Sequence, residues 1–104
     1  MQNQSENPPT HPPVGGQPIQ VKASDEVLKG IYANQVLVGH TGEEFILDFI
    51  TQFPPNAVLG GRVIMSPSHA KRFMTALENN IQQYEKNFGT ISLAIVPDNK
   101  IKFN

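Results

Sequence analysis

The segment that begins at Ser66-Pro67 and ends at Gly89 constrains the fold more than any other part of the sequence. Serine is favoured at the N-cap of a helix and proline at its first position, whereas glycine is favoured just after the last turn. Between these signals apolar residues recur at spacings of three and four: Ala70, Phe73 or Met74, Leu77, Ile81, Tyr84 and Phe88. This narrow stripe predicts one long amphipathic helix over about residues 67–87.

Short runs that alternate between apolar and polar residues predict strands on both sides of this helix. Before the helix they cover residues 19–23, 29–39 and 62–65, and a turn at 40–43 predicts a hairpin. After the helix, residues 91–96 alternate again and predict a last strand.

The clearest strand lies in the run EEFILDFITQF, which ends at Phe53. One of its faces is predicted to be core and carries Phe45, Leu47, Phe49, Thr51 and Phe53. The other face places an aspartate between two isoleucines, although a sheet face open to water is normally polar. We therefore expect the tail, a second subunit or a partner to cover it, which makes Ile46, Asp48 and Ile50 a candidate interface.

The order of these elements predicts an α+β fold, with an antiparallel β-sheet of three to five strands and the helix packed on one face. A single helix covers one face, so the other is available for self-association. Residues 1–18 are polar and rich in proline and glycine, which predicts a disordered tail, with a proline-rich ligand for a partner domain as the alternative. Residues 19–104 are then a single domain.

Composition excludes several classes of protein. The formal net charge is −1, whereas a protein that binds nucleic acid by bulk charge is usually much more basic. The chain has no cysteine, which excludes disulfides and cysteine-ligated metal sites. No apolar run approaches the roughly 20 residues that span a bilayer, and no signal-peptide pattern is present, so we expect a cytoplasmic protein without a membrane partner.

The sequence contains no recognisable catalytic set. Asp48 is the only acid in the middle of an element, and acid–base catalysis needs at least two positioned titratable groups. His40, Glu43 and Glu44 lie near one turn, without the spacing of a known metal motif. We therefore expect no enzyme, no catalytic residue, no cofactor and no metal.

A basic cluster at the helix start is the candidate site for an anion or an acidic partner. A helix N-terminus has free N–H groups and a partial positive charge, and cations beside it strengthen anion binding. The alternative is that the two residues at 71 and 72 occupy the solvated flank of the helix, while the arginine at 62 pairs with Asp48 or Glu44. The residues of this candidate site are Arg62, Ser66, His69, Lys71 and Arg72.

Several short motifs, taken together, resemble a family of short bacterial and archaeal proteins classed as a domain of unknown function. They are Tyr32-x-Asn34, Glu44-Phe45-x-x-Asp48-Phe49, Arg62-Val63-x-Met65-Ser66-Pro67 with Ala70-Lys71, and Tyr84-Glu85 ahead of Phe88-Gly89. The resemblance covers about residues 28–91. It implies a compact domain and brings no activity with it.

The order of strands and helix also looks like the PC4 and Whirly folds, which bind single-stranded nucleic acid, and like the tetrameric SecB-type export chaperones. These are likenesses of element order alone. The sequence favours a non-enzymatic module that forms a homo-oligomer and binds another protein. Single-stranded nucleic-acid binding through the basic cluster is the alternative.

Overall fold

A computed structural model of the chain describes residues 18–94 and 101–103. The chain divides into two compact units, Met1–Gly30 and Ile31–Asn104. The predicted α+β class is confirmed, with three strands and a long helix among the described residues. The tail predicted at the N-terminus lies outside the described residues, apart from Pro18. In chain order the elements are α1 (Asp25–Lys29), β1 (Gln35–His40), β2 (Phe45–Phe53), β3 (Asn56–Met65) and α2 (Pro67–Phe88).

The described part of the first unit contains only the short helix α1. The Ser24 hydroxyl caps this helix by accepting a hydrogen bond from the Val27 N–H at 3.2 Å. The strand predicted over residues 19–23 is not formed, and these residues are exposed coil. A strand needs a hydrogen-bonded neighbour, and within the described residues nothing pairs with this segment.

The second unit contains an antiparallel sheet in the order β1-β2-β3. The predicted hairpin turn joins β1 to β2, and one threonine holds it. The Thr41 hydroxyl accepts hydrogen bonds from the N–H groups of Glu43 and Glu44, and the Thr41 N–H donates to the Glu44 carbonyl at 2.9 Å. His40 and Phe45 stack across the end of the strand pair, with ring centroids 5.3 Å apart.

Strand β1 begins at Gln35, later than the predicted start at residue 29. Just before it, the side chain of Asn34 takes the place of a backbone partner for β2. The Asn34 amide donates to the Gln52 carbonyl at 3.0 Å and accepts from the Gln52 N–H at 2.7 Å. The Thr51 hydroxyl donates to the Tyr32 carbonyl at 2.7 Å. The segment before β1 therefore runs beside β2 without being a strand.

Strand β3 is longer than predicted, since it begins at Asn56 directly after the Pro54-Pro55 turn. Its pairing with β2 shifts register between Phe49 and Ile50. The shift leaves Gly60 as the extra residue of a β-bulge, because Gly61 is opposite Phe49 and Leu59 is opposite Ile50.

The predicted helix is confirmed as α2, and its ends are those that the sequence signals indicate. The Ser66 hydroxyl accepts from the His69 N–H at 3.1 Å. At the other end Gly89 has φ 97° and donates its N–H to the Glu85 carbonyl at 2.9 Å. The last predicted strand is not formed at residues 91–94, since no strand pairs with it there, while residues 95 and 96 lie outside the described part of the chain.

The expected packing of the helix on one sheet face is not found within the single chain. No residue of α2 is buried, and extensive contacts between elements, among the described residues, are confined to β1 with β2 and β2 with β3. Among the residues that the structure describes, the buried hydrophobic ones are Leu47 and Ile50, both in the central strand, 7% and 2% exposed. The core predicted from the phenylalanine face is also incomplete, because Phe53 at the end of β2 is 51% exposed.

Candidate functional site

The first feature of the candidate site is an exposed apolar stripe along α2, which we call the α2 stripe. Its exposure ranges from 41% at Ile81 to 75% at Phe88, and Ala70 is half-buried. The Tyr84 and Phe88 rings contact each other along it, with centroids 5.0 Å apart. Residues at these spacings share one side of a helix. The α2 stripe consists of Ala70, Met74, Leu77, Ile81, Tyr84 and Phe88.

The second feature is one face of the sheet, which we call the Phe face. Side chains of directly opposed residues in an antiparallel pair lie on the same side of the sheet. The register therefore places valines of β1 and β3 on the same side of the sheet as the phenylalanines of β2. Phe45 and Phe49 are half-buried, whereas most of the others are exposed. The Phe face consists of Val36, Val38, Phe45, Leu47, Phe49, Phe53, Val58 and Val63.

The opposite sheet face carries an ion pair between two directly opposed residues, Asp48 of β2 and Arg62 of β3. The Arg62 Nε donates to the Asp48 Oδ1 at 2.6 Å, and its Nη2 donates to the Oδ2 at 2.8 Å. These hydrogen bonds lower the pKa of Asp48, burial opposes the shift, and the positive charge of Arg62 adds to it. The same hydrogen bonds raise the pKa of Arg62.

This ion pair decides the structural role of two residues that the sequence marked for possible function. The Asp48 carboxylate has both oxygens bound to the guanidinium, so it is held as an anion rather than poised as a base. Arg62 points its guanidinium at the sheet residue opposite, which is the pairing weighed above as the alternative to an anion site.

The other residues of the predicted basic cluster are only partly brought together. Ser66 uses its hydroxyl as the helix cap, and Arg72 donates from Nη1 to the Ser68 hydroxyl at 2.8 Å. Lys71 and Arg72 line one shallow groove on α2, together with Thr75, Ala76 and Asn79. That groove includes neither Arg62 nor His69.

The residues of the predicted interface differ in accessibility. Asp48 is 6% exposed and Ile50 is 2% exposed within the chain, while Ile46 is half-buried. The chain itself therefore already covers the middle of this face. The larger exposed apolar area is the Phe face, which the sequence reading assigned to the core. The sequence signal for such an exposed face is the lack of enough apolar elements to cover both faces of the sheet, and it led to the prediction of an interface on the opposite face instead.

The described residues also bear on metal binding and on membrane insertion. No group of three or more histidines, aspartates or glutamates there is arranged to hold a metal ion. None of the helices in the described ranges has the length and apolar character required to cross a bilayer.

Comparison with known proteins agrees with the resemblance seen in the motifs. The model of a family described as "Protein of unknown function (DUF3467)" matches residues 1–93. No curated protein and no solved structure matches the chain.

Proposed function

The chain belongs to the DUF3467 family, and we propose that it is a non-enzymatic protein-interaction module whose working form is a homo-oligomer. One observation carries this proposal: within the described residues, the buried hydrophobic side chains are Leu47 and Ile50. Fully burying one such side chain contributes about 1.5–3 kcal/mol. Ordering the backbone of a single residue costs about 1–2 kcal/mol. Two buried apolar side chains are therefore far too few to hold this sheet and helix in place.

The two exposed apolar surfaces can supply the additional buried apolar area when they are covered. The α2 stripe and the Phe face are each contiguous, and contiguous apolar patches on soluble proteins usually mark contact surfaces. If both are covered on association, the oligomer gains the core that the single chain lacks. Folding and association are then one process, as in obligate homodimers.

A second copy of the same chain is the simplest partner. Small domains commonly complete their cores by oligomerisation, and closed two-fold symmetry is the commonest arrangement. A copy also brings an apolar surface of matched length and character. The described residues place no assembled catalytic set beside these surfaces, which is why the proposal is for a binding module rather than an enzyme.

The nucleic-acid alternative has weaker support. Two of its proposed contacts, Arg62 and Arg72, are engaged in hydrogen bonds within the chain. The net charge of −1 also provides little of the electrostatic attraction that drives such binding. A salt-dependent gain in anisotropy of a labelled single-stranded oligonucleotide would revive this function.

Light scattering on the purified full chain tests the proposal. We expect a mass at least twice that of the 11.5 kDa chain, falling to monomer and partly unfolding on dilution. In the variant Leu77→Glu, a charge in the middle of the α2 stripe should dissociate the oligomer. The matched control Asn79→Glu places the same charge outside the stripe and should leave the mass unchanged. A folded, concentration-independent monomer would refute the proposal.

A further inference from the structure

We propose that two copies of the chain pair through their α2 helices in antiparallel orientation about a two-fold axis near Glu78. The inference rests on the proposed homo-oligomer and deepens it, since it names the contacting element and its orientation. The occupant of the α2 stripe is thus a second α2, rather than the sheet of the partner or an unrelated protein.

The spacing of the α2 stripe is that of a helix-pairing seam. From Ala70 to Phe88 its residues follow at intervals of four, three, four, three and four. A strict alternation of this kind averages 3.5 residues per turn and is the pattern of a coiled-coil seam, narrower than the stripe of a helix that packs on a sheet. The helix has 22 residues, so it is about 33 Å long.

No other described helix is long enough to cover this seam. The remaining one, α1, has five residues, which is less than two turns. A copy of α2 has the same length and the same seam. Contact between two copies of one surface is isologous and closes with two-fold symmetry.

Charge decides between the two orientations of such a pair. The residues on one flank of the stripe are Lys71, Glu78 and Glu85, spaced seven apart, and we call this the charged flank. The residues on the other flank are Phe73, Asn80 and Asn87, and none of them is charged. In a parallel pair the charged flank of one helix faces the uncharged flank of the other, because the two flanking heptad positions then oppose each other.

In an antiparallel pair each flank faces its own counterpart. With the axis at Glu78, Lys71 lies opposite the partner's Glu85, and the symmetry repeats this contact at the other end. The two opposite-charge contacts outweigh the single contact between Glu78 and the partner's Glu78 at the axis. The Glu85 carboxylate is already fixed near the helix end, since it accepts the Ile91 N–H at 2.9 Å.

The antiparallel pair also accounts for the basic residues at the start of α2. The first turn contains no acidic residue, although acidic residues are normally favoured at the positive end of the helix dipole. In the pair, this basic end lies beside the negative C-terminal end of the partner helix. The cations that are unfavourable in a single helix become favourable between two.

The absence of cysteine from the chain allows a direct test by single-cysteine cross-linking of the full-length protein. The probe is a short bis-maleimide, applied to the variants Glu78→Cys, Lys71→Cys and Glu85→Cys after light scattering has established their mass. We expect Glu78→Cys to cross-link to itself. Lys71→Cys and Glu85→Cys should each remain single chains when alone, and cross-link when the two are mixed and allowed to exchange. Asn79→Cys, on the far side of α2, is the matched control and should not cross-link.

The outcomes separate this inference from the function it rests on. Self-linking of Lys71→Cys alone would mean a parallel pair and would overturn the inference. An oligomer in which none of the three positions cross-links would place α2 against another surface, such as the partner's sheet; it would also overturn the inference while leaving the homo-oligomer intact. Monomers in light scattering would overturn both.

Discussion

Asp48 and Arg62 lie directly opposite each other on adjacent antiparallel strands and form a two-point ion pair, although the aspartate side chain is 9% exposed and the arginine side chain 52%. The arginine thus reaches over the sheet from a solvated position to neutralise a buried carboxylate. A buried charge is tolerated when it is paired and hydrogen-bonded. The pair therefore couples the register of β2 and β3 to the ionisation of a single group.

The first prediction concerns acid stability. The pKa of Asp48 is lower in the folded chain than in the unfolded chain, so the unfolded state binds more protons and stability rises with pH. This contribution is complete above the unfolded pKa and is lost as pH falls below about 4. Urea unfolding at a series of pH values should show this loss in the native protein and a flatter profile in Asp48→Asn. Equal acid sensitivity of the two proteins would show that other carboxylates dominate.

The second prediction concerns the same carboxylate without its partner. In Arg62→Met the aliphatic contacts are kept and the hydrogen bonds are removed, so burial is left as the main influence and raises the pKa of Asp48. The sign of the linkage then reverses: the variant should lose stability as pH rises above the unfolded pKa of aspartate, about 4. The double variant Asp48→Asn/Arg62→Met is the control and should lack this slope. A profile for Arg62→Met parallel to that of the native protein would contradict the expected desolvation.

The third prediction concerns the bulge in β3. A Cβ added at Gly60 would come within 3.2 Å of the Ile31 Cδ1, which is tighter than an ordinary contact. Ile31 is 60% exposed and its side-chain end is able to shift, so Gly60→Ala should cost less than about 1 kcal/mol. In an Ile31→Val background that methyl is absent, and the cost of Gly60→Ala should disappear. A cost that is unchanged in that background would locate the strain in the backbone of the bulge instead.

The fourth prediction concerns the start of α2. Removal of the Ser66 cap in Ser66→Ala should lower the free energy of unfolding by about 1 kcal/mol. Ser66→Asp keeps an acceptor for the His69 N–H and adds a negative charge at the positive end of the helix, so it should be at least as stable as the native protein. Ser68→Ala, which removes only the acceptor of Arg72, serves as the comparison. A destabilised Ser66→Asp would show that the end of the helix is crowded.

The fifth prediction concerns the charged flank. Lys71→Glu should weaken self-association roughly tenfold, because two attractive contacts become repulsive in the symmetric pair. The exchange Lys71→Glu/Glu85→Lys should restore most of the affinity. Lys86→Glu makes the same charge change on the side away from the stripe and should have little effect. Sedimentation equilibrium gives the dissociation constants of all three variants. If the exchange did not restore the affinity, Lys71 and Glu85 would not be in contact across the pair.

Local signals made part of this structure predictable. The cap at Ser66, the proline at 67 and the glycine at 89 act within one turn of the backbone, so α2 was predicted to within one residue. The alternation of residue types in β2 is also a local signal, and it identified the central strand. The start of β1 was missed because the Asn34 amide imitates a backbone partner, and its match, Gln52, is far away along the sequence.

Burial was harder to predict than secondary structure. The Phe45–Phe53 face has the composition of a core, yet it is only partly covered, with Leu47 buried and Phe53 51% exposed. Sequence periodicity indicates which side chains share a face and not what covers that face. The Asp48–Arg62 pair could be named only as one of two alternatives for Arg62. Strand register decides between them, and register depends on the bulge at Gly60, which a pattern of residue types does not reveal.

A single residue, Ser66, separates the last residue of β3 from the first residue of α2. Its side chain is committed to the helix cap, and Pro67 restricts the backbone that follows. The direction of the helix is therefore set at the end of an edge strand. A tilt of about 10° at this point carries the far end of a helix about 33 Å long through roughly 6 Å. A small twist of β3 is thus magnified at Phe88.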